Sequence, residues 1–172
     1  METISQYIWA AFALIAITIS PCANAADGPH VNAGDVKWTA PPVNYSGAAF
    51  AEAFRYKTLV GGPNSPVQGQ DVYFGEAEFA PGAIYVGHNH PSPEIYYVVS
   101  GEAEWTVDGK TFKATPGTAI YAKPYAVHRM INVGNGVLKT VWMWWGKPDV
   151  INQFPKLVEP VEQQPARAKF PD

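Results

Sequence analysis

From Phe54 to Trp145 short apolar runs alternate with clusters of turn residues, at the spacing expected of a β-barrel or β-sandwich. The runs predict nine strands: Arg55–Val60, Asp71–Phe79, Ile84–His90, Glu94–Ser100, Ala103–Val107, Lys110–Ala114, Thr118–Ala122, Ala126–Asn132 and Val137–Trp145. Between them stand Gly61-Gly62-Pro63-Asn64, Ala80-Pro81-Gly82, Asp108-Gly109, Thr115-Pro116-Gly117 and Gly134-Asn135-Gly136. Asp108-Gly109, flanked by Trp105-Thr106-Val107 and Lys110-Thr111-Phe112, is a strong two-residue hairpin signal. No stretch after the first 25 residues holds a sustained 3.6-residue period. The predicted barrel spans 54–147. Residues 26–53, rich in Pro, Gly, Asn and Ala, predict an extended arm anchored by Trp38. Residues 148–172 form a Pro- and Gln-rich tail that either wraps the barrel or stays mobile.

The segment 1–25 predicts something else. Ile8 to Ile19 is apolar but too short to span a bilayer. Pro21 and then Ala23-Asn24-Ala25 follow, an A-x-A cleavage pattern, so 1–25 reads as a secretory signal peptide and the mature chain as periplasmic or secreted, with no membrane attachment after cleavage. The segment before Ile8 carries Glu2 and no Lys or Arg, which leaves an uncleaved anchor or a buried helix as alternatives. Cys22, the single cysteine, precedes the cut, so the mature chain would have neither a disulfide nor a thiolate ligand.

A length of 172 residues suits one domain with a real core. Aromatics at 13 % favour strands and an all-β fold. The net charge is −3, and no Lys/Arg run is long enough to track a phosphate backbone. Nucleic acid is therefore not an expected partner, and a small molecule is.

Three of the four histidines fall into one pattern with a glutamate. His88 and His90 are two apart on a predicted strand, so both imidazoles point the same way. Glu94 follows the Pro91-Ser92-Pro93 turn, where its strand can fold back opposite the two rings. His128, on a later strand, could complete the set from a neighbouring wall. Three imidazoles and one carboxylate suit one divalent transition metal ion, Fe, Mn, Ni, Co or Zn, and not Ca or Mg. A six-coordinate ion held this way keeps two positions for water or substrate, as a reactive site does. His30, in the arm, reads as solvated.

The run Gly82-Ala-Ile-Tyr-Val-Gly-His88-Asn-His90-Pro-Ser-Pro-Glu94-Ile-Tyr-Tyr-Val-Val-Ser-Gly101 resembles the first cupin motif, G-x5-H-x-H-x3-E-x6-G, at every fixed position. Gly117 to Asn132 resembles the second motif, with Ala126 where glycine is usual and one residue fewer between Pro124 and His128. The resemblance covers about residues 70 to 145. It implies an all-β double-stranded β-helix, the cupin or jelly-roll barrel, with His88, His90, Glu94 and His128 around an ion inside. The run H-x-H-x3-E-x-Y and the Trp-rich last strand are also similar to the bacterial cupin-type dimethylsulfoniopropionate lyases. That likeness implies Tyr96 as catalytic base, a phenol acidified by the nearby dication. It further implies aromatic faces for a sulfonium at Trp105, Tyr121, Trp142 and Trp144. On the residues alone Tyr96 reads first as a barrel-lining, pocket-shaping aromatic, and the Trp142-to-Trp145 run first as a packing element.

Three functions follow as expectations. One is a metal-dependent lyase that abstracts an α-proton from a small carboxylate and eliminates the β-substituent. One is an Fe- or Ni-dependent dioxygenase of a small aromatic or enolic substrate. The third is a non-enzymatic small-ligand or metal-binding protein. Ile95, Tyr97 and Val99, outward on the Glu94 strand, need a cover from the arm, the tail or a second copy in a homodimer.

Overall fold

The computed structural model describes residues 29–42, 47–62, 65–160, 163–165 and 168–171. The expected signal segment lies outside the described residues.

All nine predicted strands form, each within a few residues of its expected ends: β1 (Phe54–Val60), β2 (Val72–Phe79), β3 (Ile84–Asn89), β4 (Glu94–Ser100), β5 (Ala103–Val107), β6 (Lys110–Ala114), β7 (Ala119–Ala122), β8 (His128–Asn132) and β9 (Leu138–Trp145). A two-residue strand, β10 (Lys156–Leu157), adds to them. They make two five-stranded antiparallel sheets, ordered β1-β2-β9-β4-β7 and β10-β3-β8-β5-β6. The inner faces enclose Phe79, Tyr96, Val98, Trp105, Ile120, Met130, Leu138 and Trp142. This is the all-β double-stranded β-helix. The β5–β6 turn places Asp108 and Gly109 at φ 47° and 75°, the doubly left-handed backbone of a tight hairpin.

Strand β3 departs from a regular ladder. Its register steps from Tyr85↔Met130 to His88↔His128, so β3 spends one residue more than β8 across that step. Such a bulge flips side-chain parity. Tyr85 and His88, an odd number of residues apart, therefore both point inward, with ring centroids 4.1 Å apart.

The arm is more structured than its composition suggests. It holds a 3-10 turn at Ala33–Asp35 and a short helix, α1 (Ala48–Ala53), whose Phe50 is buried against Phe54 and Tyr85 at 5.2 Å each. One helical turn is too short to leave a periodic signature. Thr39 exchanges two backbone hydrogen bonds of 2.8 Å with Tyr56, covering the β1 edge. Beside it the Trp38 ring takes the Arg55 guanidinium at 4.8 Å and the Lys57 ammonium at 4.5 Å.

The described part of the tail wraps the barrel. After α2 (Pro148–Ile151), β10 pairs with β3 in the register Lys156↔Asn89 and Leu157↔His88. The Glu159 carboxylate then accepts from the Gly87 N–H inside the β3 bulge (2.9 Å), while the Val158 and Glu159 N–H groups donate to the Gly87 carbonyl. A Cβ on Gly87 would stand 2.2 Å from the Glu159 carboxyl carbon, so the contact requires glycine. Neither arm nor tail, among the described residues, covers Tyr97 and Val99, which are 45 % and 44 % exposed.

Candidate metal centre

His88 and His128 sit directly opposite each other across β3 and β8, which brings their rings to 4.1 Å. Glu94 opens β4 in the other sheet and faces them across the interior. One ligand atom from each of His88, Glu94 and His128 lies within 4.8 Å of the other two. His90 is outside that trio but touches its carboxylate, with Nε2 3.0 Å from Glu94 Oε2. His128 Nε2 stands 3.0 Å from the same oxygen, close enough for an ion pair but not aligned for a hydrogen bond. All four side chains are at most 3 % exposed.

The tautomers follow from the backbone. His88 Nδ1 lies 2.9 Å from the Val86 carbonyl and His128 Nδ1 2.9 Å from the Ala126 carbonyl. A carbonyl only accepts, so each Nδ1 carries the proton and donates. Each neutral ring then keeps a lone pair at Nε2, and both Nε2 atoms are buried without a hydrogen-bond partner. A backbone carbonyl fixing one nitrogen so that the other can bind a cation is the usual support of a metal-ligating histidine. The orphaned nitrogens and the donor chemistry fit a divalent transition metal ion.

Electrostatics agree. Burial, and next the nearby His128, push His88 well below the ordinary histidine range, so it is neutral and able to ligate. Burial opposes the charge on Glu94, but the neighbouring His128 and His90 outweigh it and hold the carboxyl at about 2. Burial likewise opposes a charge on His128, yet the Glu94 carboxylate raises it above the ordinary value.

The interior opens beside Glu94 into a cavity of about 1340 Å³, roofed by arm residues such as Val36 and Pro41 and by the segment after α2. Its deep wall is aromatic: Tyr56, Tyr73, Tyr85, Tyr96, Trp142 and Trp144. Tyr96 is buried on the same face as Glu94, with its ring 6.3 Å from that of His128. Trp142 pairs with Tyr96 and Trp144 with Glu94 across β4 and β9, so both tryptophans point inward.

Two of the expected pocket residues are placed otherwise. Tyr121 is 57 % exposed and stacks on Trp145 outside the barrel. It pairs with Ile95 across β7 and β4, and Ile95 is odd to the inward Glu94, so both point out. Trp105 is buried behind Tyr96 at 4.8 Å, in the core and not on the cavity wall. His30 is exposed, as expected.

Three contributors were not visible in the sequence. Tyr85, stacked on His88, was hidden by the bulge that reverses its parity. The Trp144 indole N–H donates to Glu94 Oε1, a contact that needs strand register to find. Glu159 belongs to a tail with no pattern.

A family model described as a cupin domain matches residues 75–144. The chain carries a cupin domain. Among curated relatives, glucose-6-phosphate isomerase of Thermococcus kodakarensis is 40 % identical over 63 residues, covering 28 % of this chain and 30 % of that protein. The chain spans less than half the length of the curated relatives it matches. Among solved structures, DMSP lyase DddQ from Ruegeria pomeroyi DSS-3 superposes with a TM-score of 0.65 at 22 % identity, over 76 % of this chain and 64 % of that one. A chain from the structures of DMSP lyases RdDddP and RnDddQII gives 0.63 at 20 %, over 83 % and 86 %. At such identities the likeness speaks for the fold of the cupin domain alone.

Proposed function

We propose that this cupin protein is a metal-dependent lyase, holding one ion at His88, His90, Glu94 and His128 and acting on a small carboxylate with a cationic β-substituent. The observation that carries the reading is the pair of buried Nε2 atoms without hydrogen bonds, on histidines clustered with the Glu94 carboxylate beside an aromatic cavity. A divalent ion held there supplies Lewis acidity toward a substrate carboxylate, which acidifies the α-proton. Among the described residues lining the cavity, Lys37 of the arm is the single Lys or Arg. Tyr96, on the Glu94 face and on the cavity wall, takes the α-proton as its phenolate and becomes the neutral phenol. Trp142 and Trp144 present ring faces that suit a sulfonium or ammonium group. Elimination then expels the β-substituent as a neutral leaving group. Purified protein supplied in turn with Fe, Mn, Co, Ni and Zn should release dimethyl sulfide from dimethylsulfoniopropionate, read in the headspace. No release with any of the five removes this substrate.

A second reading draws on cavity size. About 1340 Å³ exceeds the roughly 300–1,000 Å³ of most small-ligand sites and suits a larger aromatic or enolic substrate, with Tyr96 orienting it for an Fe- or Ni-dependent dioxygenase. Oxygen consumption with candidate phenols distinguishes the two, because the lyase consumes none. A small-ligand or metal carrier would instead retain its cargo on purification and turn over neither substrate class. We place the mature protein in the periplasm or outside the cell, on the A-x-A pattern at Ala23–Ala25. Tyr97 and Val99, uncovered among the described residues, suit a homodimer, which sedimentation velocity would reveal and Tyr97→Ser would weaken.

A further inference from the structure

The fold treats the two oxygens of Glu94 differently. Oε2 faces His90 and His128 at 3.0 Å each. Oε1 accepts the indole N–H of Trp144. An indole nitrogen only donates and cannot itself ligate a cation, so Trp144 occupies Oε1 without adding a ligand. The tryptophan is held by several contacts. It lies opposite Glu94 in the β4–β9 ladder, packs on the His90 ring at 4.8 Å and stacks on Tyr73 at 6.4 Å and 15°. Tyr73 in turn donates its hydroxyl proton to the side-chain oxygen of Asn152, the residue that ends α2 at the cavity mouth.

We propose that Trp144 is a positioning residue that confines Glu94 to ligation through Oε2 alone, which leaves one more coordination position open toward the cavity for substrate. A carboxylate free to use both oxygens would take two positions on the ion and close one of them. The chain Asn152–Tyr73–Trp144–Glu94 also ties that choice to the cavity mouth. The inference rests on the metal reading of the site and adds to it how many ligand positions the protein leaves unfilled.

The test compares wild type with Trp144→Phe, which keeps an aromatic ring and removes the donor. Zn(II) affinity is measured by chelator competition, coordination by the visible spectrum of the Co(II)-loaded protein, and folding by far-UV circular dichroism. Zn(II) should bind W144F about tenfold more weakly, the scale of a lost outer-shell partner. The Co(II) bands of W144F should fall in intensity, the mark of a higher coordination number. Equal Zn(II) affinity together with superimposable Co(II) spectra overturns the positioning role. If W144F does not fold, wild-type protein labelled at the indole nitrogen decides. One N–H signal should be strongly downfield, protected from exchange and shifted on Zn(II) binding, and its absence overturns the proposal. Wild type that binds neither metal overturns the metal site and this inference together, whereas metal binding that W144F leaves unchanged overturns only the role of Trp144.

Discussion

Strand β8 carries two buried polar side chains, four residues apart, that are finished in opposite ways. At one end Asn132 is fully enclosed and fully paired. Its amide nitrogen is 3.0, 3.0 and 2.9 Å from the carbonyls of Phe79, Ala80 and Gly136, and its side-chain oxygen accepts from Gly134 N–H at 3.0 Å. Its backbone N–H and carbonyl are paired with Ala83 and Gly82. At the other end His128 and its partner His88 are as deeply buried, yet each keeps an Nε2 with no hydrogen bond. A buried polar atom without a partner is costly, and two imidazole nitrogens left so beside a carboxylate make a donor set that a cation would satisfy. The first cluster ties loops together, and the second presents nitrogen lone pairs that suit a cation.

Substitutions at the two ends of β8 should separate these roles. Asn132→Ala strands several buried carbonyls and should lower the stability of the metal-free protein by about 3 kcal/mol or more, read from urea unfolding. The refolded fraction should still bind Zn(II) normally. His88→Ala should reverse the pattern, with a smaller loss of metal-free stability than Asn132→Ala. Its loss of Zn(II) affinity should exceed the ~100-fold upper range of outer-shell changes. Equal stability losses for the two variants would erase the contrast. Metal removal is the next probe. With free ion at ~100 times Kd, the wild-type protein should gain about 2.7 kcal/mol over the chelated form, and His88→Ala should gain nothing.

Acid–base behaviour sharpens the picture further. Against the opposing effect of burial, Glu94 raises His128 above the ordinary histidine value, so protons compete with the ion at Nε2 and metal uptake should release protons. Calorimetry in buffers of different ionisation enthalpy reads it directly, and affinity should fall as pH drops. Glu94, held at about 2 against an ordinary 4.5, contributes stability above pH 4.5 that is lost as pH falls toward 2. Glu94→Gln should flatten that acid limb. The smallest effect belongs to Tyr121→Ser on the outer face, which should change stability by less than about 0.5 kcal/mol and leave Zn(II) affinity untouched. A loss of affinity there would return Tyr121 to the pocket.

The strands, the hairpin at Asp108-Gly109 and the shared face of His88 and His90 were legible because period-two patterning and turn chemistry are local. Tyr121 was misplaced for a traceable reason. Its parity is defined only against Glu94, through a β4–β7 register that the chain does not spell out. The bulge at Val86–Gly87 is another nonlocal feature, since it depends on Glu159 filling it from 72 residues away. The sequence likeness makes Trp144 a substrate surface, and only the β4–β9 pairing shows its N–H turned to Glu94. The arm helix and β10 escaped because a single turn and two residues carry no period.

The added strand β10 has a bearing on how the protein behaves in a crowded solution. Without Lys156 and Leu157, β3 would end its sheet as a naked border, with the backbone beside His88 and Asn89 free to recruit a strand from another chain. A truncation after Pro155 would therefore show its damage first as clumping, seeded at the very stretch that bears the histidines, before any loss of the barrel itself.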